Sequence, residues 1–188
     1  MEVAAYQDKT LNRILAPGPF PPESRQQRID QLIELRKKDP TSHYLKAIDA
    51  ESGQMIAFAK WHIYETAATS SRPLNFGPGR NVDACMAFFG PLVEKKKQLL
   101  GESPHLYLHM LHTDPAFQGR GAGRLLVQWG THRADELSLP AYLESSPAGH
   151  HLYEKQGFKD VETLQIDLSP WDGPLYEHAL MIRNPVEQ

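Results

Sequence analysis

Three glycines occupy alternate positions between Gln118 and Arg124 in the stretch "QGRGAGR", directly before an apolar run that begins at Leu125. Glycine allows backbone N–H groups to approach a ligand closely. The start of the following helix adds amides without intrahelical acceptors and the positive end of the helix dipole. A corner of this kind suits a pyrophosphate. The alternative is a tight turn from strand to helix with no ligand.

The glycine spacing excludes two common nucleotide motifs. A P-loop requires Lys-Ser or Lys-Thr after its last glycine, and neither follows Gly123. A dinucleotide fingerprint counted from Gly119 requires glycine at its sixth position, where the chain has Arg124. The corner therefore matches neither nucleotide motif, and both the pyrophosphate site and the turn without a ligand stay open.

Side chains suited to proton transfer precede this corner. His105 and His109 share one face of the predicted strand "HLYLHMLHT", with Tyr107 between them. Histidine titrates near neutral pH, so His109 is a candidate general base. Glu94 and Glu144 are weaker candidates. The nine histidines show no metal-ligand spacing, and we expect no metal.

The elements that position these residues alternate between strand and helix. The second half of the chain predicts strands at 105–113, 140–146, 158–168 and 175–183, and helices at 120–137 and 148–156. The first half predicts a helix at 21–39, a hairpin with arms at 43–49 and 54–65, a loop at 65–82, and a helix at 83–100 that Pro91 kinks or divides. This order favours an α/β fold with a mixed central sheet flanked by helices.

Length and composition limit the class of protein. A chain of 188 residues fits one domain, and 20 basic against 23 acidic residues lack the basic surplus of a nucleic-acid-binding protein. The single cysteine, Cys85, excludes a disulfide framework and a cysteine-rich zinc site. We see no secretion signal and no uncharged run of about 18 residues. The expected location is the cytoplasm, with the nucleus as the alternative, and no membrane partner is expected.

The motifs together resemble the GNAT superfamily of acyl-CoA-dependent N-acyltransferases. Its first signature, Gln/Arg-x-x-Gly-x-Gly/Ala, is matched by Gln118, Gly121 and Gly123. Its second, a helix that carries Leu-Tyr and ends in Gly-Phe, is matched by "HHLYEKQGF". The resemblance is clear over 44–168, weak over 1–43, and closest to GNAT proteins common in fungi. It implies a single GNAT domain over 1–188, with a helical segment at 1–43.

The resemblance implies that acetyl-CoA binds as co-substrate. In the family, backbone amides of the loop and helix start hold the pyrophosphate; the matching positions are Gly119, Arg120, Gly121, Ala122, Gly123 and Arg124. A bulge in the preceding strand pairs with the pantetheine arm and polarises the thioester carbonyl; the matching positions are Leu111, His112 and Thr113. Many relatives also use an asparagine seven residues before the motif tyrosine. This chain has Ser146 there, which reaches less far.

The resemblance assigns Tyr153 as the general acid that protonates the leaving thiolate; the alternative is a tyrosine packed in the core. An amine with a lysine-like pKa of about 10.4 is almost entirely protonated at pH 7, so a base is also required. We expect direct acetyl transfer to a small-molecule amine, because the loop at 65–82 is able to close over a small acceptor. A protein lysine or amino terminus as acceptor, and a non-catalytic acyl-CoA-binding protein, stay open. A homodimer is possible, since dimers are frequent in the superfamily.

One expectation concerns the walls of the acceptor site. Phe88 and Phe89, together with Trp61, are large apolar side chains outside the two signatures. We expect them, like Trp129, to lie either in the core or in a pocket wall; in the second case Phe88, Phe89 and Trp61 line an apolar acceptor pocket.

Overall fold

The computed structural model describes residues 9–66 and 74–186. In chain order its elements are α1 (Lys9–Leu15), α2 (Ser24–Lys38), β1 (Ser42–Ile48), β2 (Met55–Tyr64), α3 (Val82–Leu100), β3 (His105–Thr113), α4 (Ala122–Leu137), β4 (Ala141–Ser145), α5 (Pro147–Glu154), β5 (Lys159–Asp167) and β6 (Leu175–Arg183). Short 3-10 turns lie at Pro115–Phe117 and Ser169–Trp171. No helix within the described ranges is long and apolar enough to cross a bilayer.

The six strands form one mixed sheet in the order β1-β2-β3-β4-β6-β5. Strands β3 and β4 are parallel, and every other neighbouring pair is antiparallel. Helices α4 and α5 pack on one face of the sheet, hereafter the α4 face. Helices α1 and α3 pack on the other, hereafter the α3 face. The predicted α/β fold, with a mixed sheet between helices, is confirmed.

Most predicted elements agree with the structure to within a few residues. Helix α4 begins at Ala122, two residues later than predicted, because Gly121 has a left-handed φ of +88° and acts as the N-cap. Helix α3 continues through Pro91 without division, since Phe88 and Leu92 on either side bury the same apolar stripe. Helix α1 was not predicted. Residues 67–73 of the expected loop lie outside the described residues.

Helix α4 approaches the sheet most closely at Gly130. A Cβ atom at this position would overlap the ring of Trp61, which is fully buried on β2. The indole N–H of Trp61 donates to the backbone carbonyl of Leu126 at 3.2 Å. This contact fixes α4 against β2, and so sets where the helix begins relative to the end of β3.

The same contact overturns one expectation about the acceptor pocket. Trp61 lies in the core between α4 and the sheet, whereas Phe88 and Phe89 belong to α3 and pack on the other face of the sheet. The sheet therefore stands between them, because successive residues of a strand face opposite sides and Trp61 falls on the α4 side. The three side chains do not line one pocket.

Two glycine substitutions test this packing. Gly130→Ala should lower the free energy of unfolding by about 1–3 kcal/mol, because the added methyl group displaces Trp61. Gly90→Ala is the matched control: Gly90 also lies inside a helix, but an added Cβ meets nothing within 4 Å. It should change stability by less than about 1 kcal/mol, because the gain in helix propensity is offset by the clash of a Cβ with the ring of the following Pro91. Urea unfolding of both variants measures the difference, and equal effects would show that α4 does not pack as described.

Candidate active site

Strand β3 carries a bulge at His109. Its register with β2 pairs Leu108 with Trp61 and Met110 with Lys60, so the ladder skips His109. The extra residue breaks the alternation of side chains, because Leu108 and Leu111 both pack on the α4 face. The bulge thus lies two residues before Leu111, not at Leu111, His112 and Thr113, where the resemblance placed it. The role of these three residues in binding stays a prediction.

The ladder between the parallel strands β3 and β4 ends just before this bulge. It consists of the pairs Leu106–Ala141, Tyr107–Tyr142 and Leu108–Leu143, although β3 continues to Thr113 and β4 to Ser145. No ladder pair joins Met110–Thr113 to Glu144–Ser145, and this unpaired stretch between the two strands is hereafter the cleft. An extended chain can occupy the cleft by pairing with the edge of β3.

The glycine corner, residues 118–124, follows the end of β3 after the 3-10 turn at Pro115–Phe117. Gly119 and Gly121 adopt left-handed backbone angles, with φ of +76° and +88°. A Cβ at Gly119 would meet nothing within 4 Å, so the space beside this backbone is open. Gly123 serves packing instead, because its Cβ would lie 3.4 Å from Thr113 Oγ1 and 3.5 Å from Leu152.

The electrostatics of the corner favour an anion. Helix α4 has no acidic residue in its first turn, and its first amides, from Ala122 onward, have no intrahelical acceptor. The Arg120 guanidinium lies 4.9 Å from the centre of the Phe117 ring, and Arg124 is exposed. Gln118 Nε2 donates a long hydrogen bond of 3.5 Å to the carbonyl of Thr113, which ties the corner to β3. Open space, amides and positive charge together fit a pyrophosphate group.

His109 lies at the inner end of the cleft, on the α3 face. Its ring stacks on Tyr107, with centroids 5.4 Å apart and planes 15° apart, and its side chain is exposed. Its Nδ1 lies 3.2 Å from Nε2 of His62 on β2. His105 shares this face but is buried, and burial lowers its pKa. Of the two histidines, His109 is the one that can meet an acceptor from solvent.

Glu144 lies on the opposite side of the cleft opening, on β4. The Tyr107 hydroxyl donates to its Oε2 at 2.8 Å. Burial raises the pKa of Glu144, while the Tyr107 hydrogen bond and the charge of Lys96 lower it by less. The Lys96 ammonium lies 4.2 Å from the centre of the Tyr107 ring. Glu94, the other carboxylate considered, lies on the exposed side of α3 and accepts from Gln98, so it is not part of the cleft.

Helix α5 carries Tyr153 and begins at Pro147, directly after Ser146. Tyr153 packs edge-on against Phe158 at 6.2 Å and against Gly149, whose Cβ would lie 2.9 Å from the tyrosine ring. Burial raises the pKa of Tyr153 to about 12, so the phenol stays protonated at neutral pH. Ser146 is the exposed N-cap of α5, at the end of β4, and its side chain makes no capping hydrogen bond. His112 is buried against Phe58, at 4.9 Å between ring centres.

Sequence reasoning missed His62 and Lys96, which both contact the site. Each lies far along the chain from β3, in an element that the sequence predicts but cannot orient. One signal for His62 was present: Lys60, His62 and Tyr64 alternate with apolar residues on β2, which indicates a polar face opposite the core. Within 9–66 and 74–186, no group of three or more His, Cys, Asp or Glu side chains is placed to hold a metal.

Comparison with known proteins identifies the family. Residues 9–158 match the Acetyltransferase (GNAT) family. An uncharacterised N-acetyltransferase of Schizosaccharomyces pombe is 31% identical over 97 residues, which are 52% of this chain and 41% of that protein. The chain therefore spans less than half of that curated relative.

Two solved structures share the fold. One, described as histone acetyltransferase HPA2 and related acetyltransferase from Corynebacterium glutamicum, is 22% identical, with a TM-score of 0.57 over 100% of this chain and 88% of that one. The other is a GNAT phosphinothricin acetyltransferase from Sinorhizobium meliloti in complex with AcCoA, at 15% identity and a TM-score of 0.54, over 98% and 82% of the two chains. At these identities the likeness is one of fold alone. Because the family match covers residues 9–158, which are most of this chain, the chain belongs to the GNAT acetyltransferase family.

Proposed function

We propose that the protein is an N-acetyltransferase that transfers the acetyl group of acetyl-CoA directly to a small-molecule amine. The observation that carries the proposal is the course of β3. From the bulge at His109 its edge is no longer paired with β4, and one 3-10 turn leads from its end to the glycine corner. A proton acceptor, an extended backbone edge and an anion site thus follow one another along 109–124, in the order of the thioester, the pantetheine arm and the pyrophosphate of acetyl-CoA.

The residues along this path divide the binding of acetyl-CoA between them. The backbone of Leu111, His112 and Thr113 pairs with the pantetheine arm, and the amides of the corner, with Arg120 and Arg124, hold the pyrophosphate. Ser146 contacts the arm from the β4 side. The thioester supplies an activated acyl group. A backbone N–H of the bulge donates to its carbonyl oxygen, where negative charge develops during attack.

His109 acts as the general base for the amine. An amine with a pKa of about 10.4 arrives as ammonium. The carboxylate of Glu144 attracts this cation, and the imidazole of His109 takes its proton. Glu144 and His109 stand on the two sides of the cleft opening. Because Tyr107 contacts both groups, it holds them in a fixed relation.

Tyr153 faces the leaving thiolate as a proton donor. Its pKa of about 12 lies above the ordinary thiol pKa of about 8.5. The phenol therefore stays protonated and stabilises the negative charge that develops on sulfur by donating a hydrogen bond. Complete proton transfer to the thiolate requires that burial raises the thiol pKa as well.

The contacts between two loops, residues 74–81 and the connection between α1 and α2, support a small acceptor. The described end of the predicted loop, 74–81, is tied to the connection between α1 and α2: Gly18 N–H donates to the carbonyl of Gly79 at 3.0 Å, and Asn81 N–H to that of Leu15 at 3.1 Å. A Cβ at Gly79 would press against Phe20. Segments held together in this way favour a small acceptor over an extended peptide laid between them.

Charge placed in the corner should abolish coenzyme A binding. Gly119→Glu adds a carboxylate where the pyrophosphate lies, and we expect the Kd for coenzyme A to rise at least about 100-fold. Gly53→Glu is the control, because Gly53 also has a left-handed φ and open space for a Cβ but lies in the β1–β2 turn. Isothermal titration measures both. Equal affinities in the two variants would remove the corner from the binding site.

Removal of the Tyr153 hydroxyl should slow turnover without weakening cofactor binding. Tyr153→Phe is expected to lower kcat by about 10- to 100-fold with little change in KM for acetyl-CoA. Tyr44→Phe, which removes another buried hydroxyl on the edge strand β1, is the control and should keep kcat. An unchanged kcat in Tyr153→Phe would assign this side chain to packing.

The acceptor class is tested by thiol release with a panel of small amines beside lysine and amino-terminal peptides. We expect turnover with one or more of the small amines. Turnover with peptides alone would instead indicate a protein acetyltransferase. Cofactor binding without turnover on any amine would indicate a non-catalytic acyl-CoA-binding protein.

A further inference from the structure

A chain of polar side chains connects His109 to the end of helix α2. His62, which is almost completely buried on β2, is the central member. Its Nε2 lies 3.2 Å from His109 Nδ1, and its Nδ1 lies 3.3 Å from Thr41 Oγ1 and 3.6 Å from Asp39 Oδ2. These hydrogen-bonded side chains thus extend across the strands, from the start of β1 over β2 to the bulge of β3.

The direction of the hydrogen bonds is fixed at the Asp39 end. Asp39 Oδ1 accepts the backbone N–H of Thr41 at 3.1 Å and its hydroxyl at 2.6 Å. A carboxylate only accepts hydrogen bonds, and a threonine hydroxyl has a single proton to donate. Thr41 Oγ1 therefore meets His62 as an acceptor, and His62 carries its proton on Nδ1.

The protonation state of His62 determines the direction of its hydrogen bond with His109. Burial, followed by the charges of His109 and Lys60, lowers the pKa of His62 to about 2, so the ring holds one proton at neutral pH. With that proton on Nδ1, Nε2 of His62 is an acceptor. His109 must then donate its Nδ1–H to His62. The lone pair of His109 is left on Nε2, as assigned from the hydrogen-bond network.

We propose that Asp39, Thr41 and His62 are positioning residues that hold His109 in the Nδ1–H tautomer, so that Nε2 takes the proton of the acceptor amine. The inference rests on the proposed function of His109 as the base. The amine keeps its electron pair for attack, and its proton moves to Nε2. The imidazolium formed keeps its Nδ1–H on His62. His62 stays neutral, since its ring resists a second proton.

The groups around His109 fit a ring that gains charge only during reaction. Tyr107 of β3 lies against one side of it and His62 of β2 against its Nδ1 edge. Beyond Tyr107 are Lys96 of α3 and Glu144 of β4, of opposite charge. Asp39, with 17% of its side chain exposed, lies beyond His62 and favours the imidazolium. The two carboxylates thus oppose two ammonium groups, that of Lys96 and that of Lys60, which acts on His62.

The tautomer can be observed directly in the protein without any substrate. Long-range 1H–15N NMR correlation spectra of histidine-labelled protein distinguish Nδ1–H from Nε2–H rings. We expect Nδ1–H for His109 in the wild type, whereas a solvated neutral histidine prefers Nε2–H. Thr41→Val should shift His109 towards Nε2–H, and Thr41→Ser, which keeps the hydroxyl, should not. Thr131→Val, which removes a buried hydroxyl that donates to Gln128 on α4, is the control and should leave His109 unchanged.

An Nε2–H ring at His109 in the wild type would overturn the inference. So would a His109 tautomer that does not differ between Thr41→Val and Thr41→Ser. Neither result depends on turnover, so the inference and the proposed function can fail separately. His62→Phe gives a second route if Thr41→Val does not fold, and it should also release His109 to Nε2–H.

The kinetic counterpart separates positioning from folding. In Thr41→Val we expect kcat/KM for the amine to fall at least about tenfold, with the Kd for coenzyme A unchanged. Thr41→Ser should restore the rate. A wild-type rate in Thr41→Val, or a parallel loss of coenzyme A binding, would contradict the positioning role.

Discussion

The insertion of one residue into β3 at His109 is the constraint on which the site depends. Up to Leu108 the strand keeps its alternation and its ladder with β4. After the bulge the alternation is shifted, so that Leu111 still reaches the α4 core while His112 turns to the α3 face beside Phe58. The same shift brings the strand edge away from β4. One local irregularity therefore creates the cleft and places His109 at its inner end.

The two faces of the sheet differ in the polarity of the side chains that they carry. The α4 face is packed with apolar side chains, and its tight contact at Gly130 holds the corner in place. Beside an apolar core of its own, the α3 face carries a set of polar side chains: Lys60, His62, His105, Tyr107 and Glu144. Burying such groups costs about 1–3 kcal/mol for each hydrogen bond left unmade, so this arrangement is not one that packing alone would favour. The hydrogen bonds from Asp39 to His109 hold His62, and a further hydrogen bond joins Tyr107 to Glu144.

The sequence allowed much of this architecture to be predicted, because the relevant signals are local. The alternation of "HLYLHMLHT" and the breaker at Asp114-Pro115 predict β3 and its end, and the glycines predict the corner. His105, Tyr107 and His109 share a face as strand geometry requires. The position of the bulge could not be read in this way, since it depends on how β2 pairs with β3. The contacts of His62 and Lys96 depend on sheet order and on the rotation of α3, and neither is encoded in a short stretch of sequence.

The most direct test of the central claim is amide hydrogen exchange, residue by residue, with and without coenzyme A. The account predicts new protection in two places: in the β3 edge at Met110–Thr113, where the cleft opens, and at the start of α4 from Gly121 to Arg124. Both would arise from the same ligand, bound along one path. Binding that protected neither segment, or that protected amides on a different part of the sheet, would contradict the assignment of the cleft and the corner to acetyl-CoA.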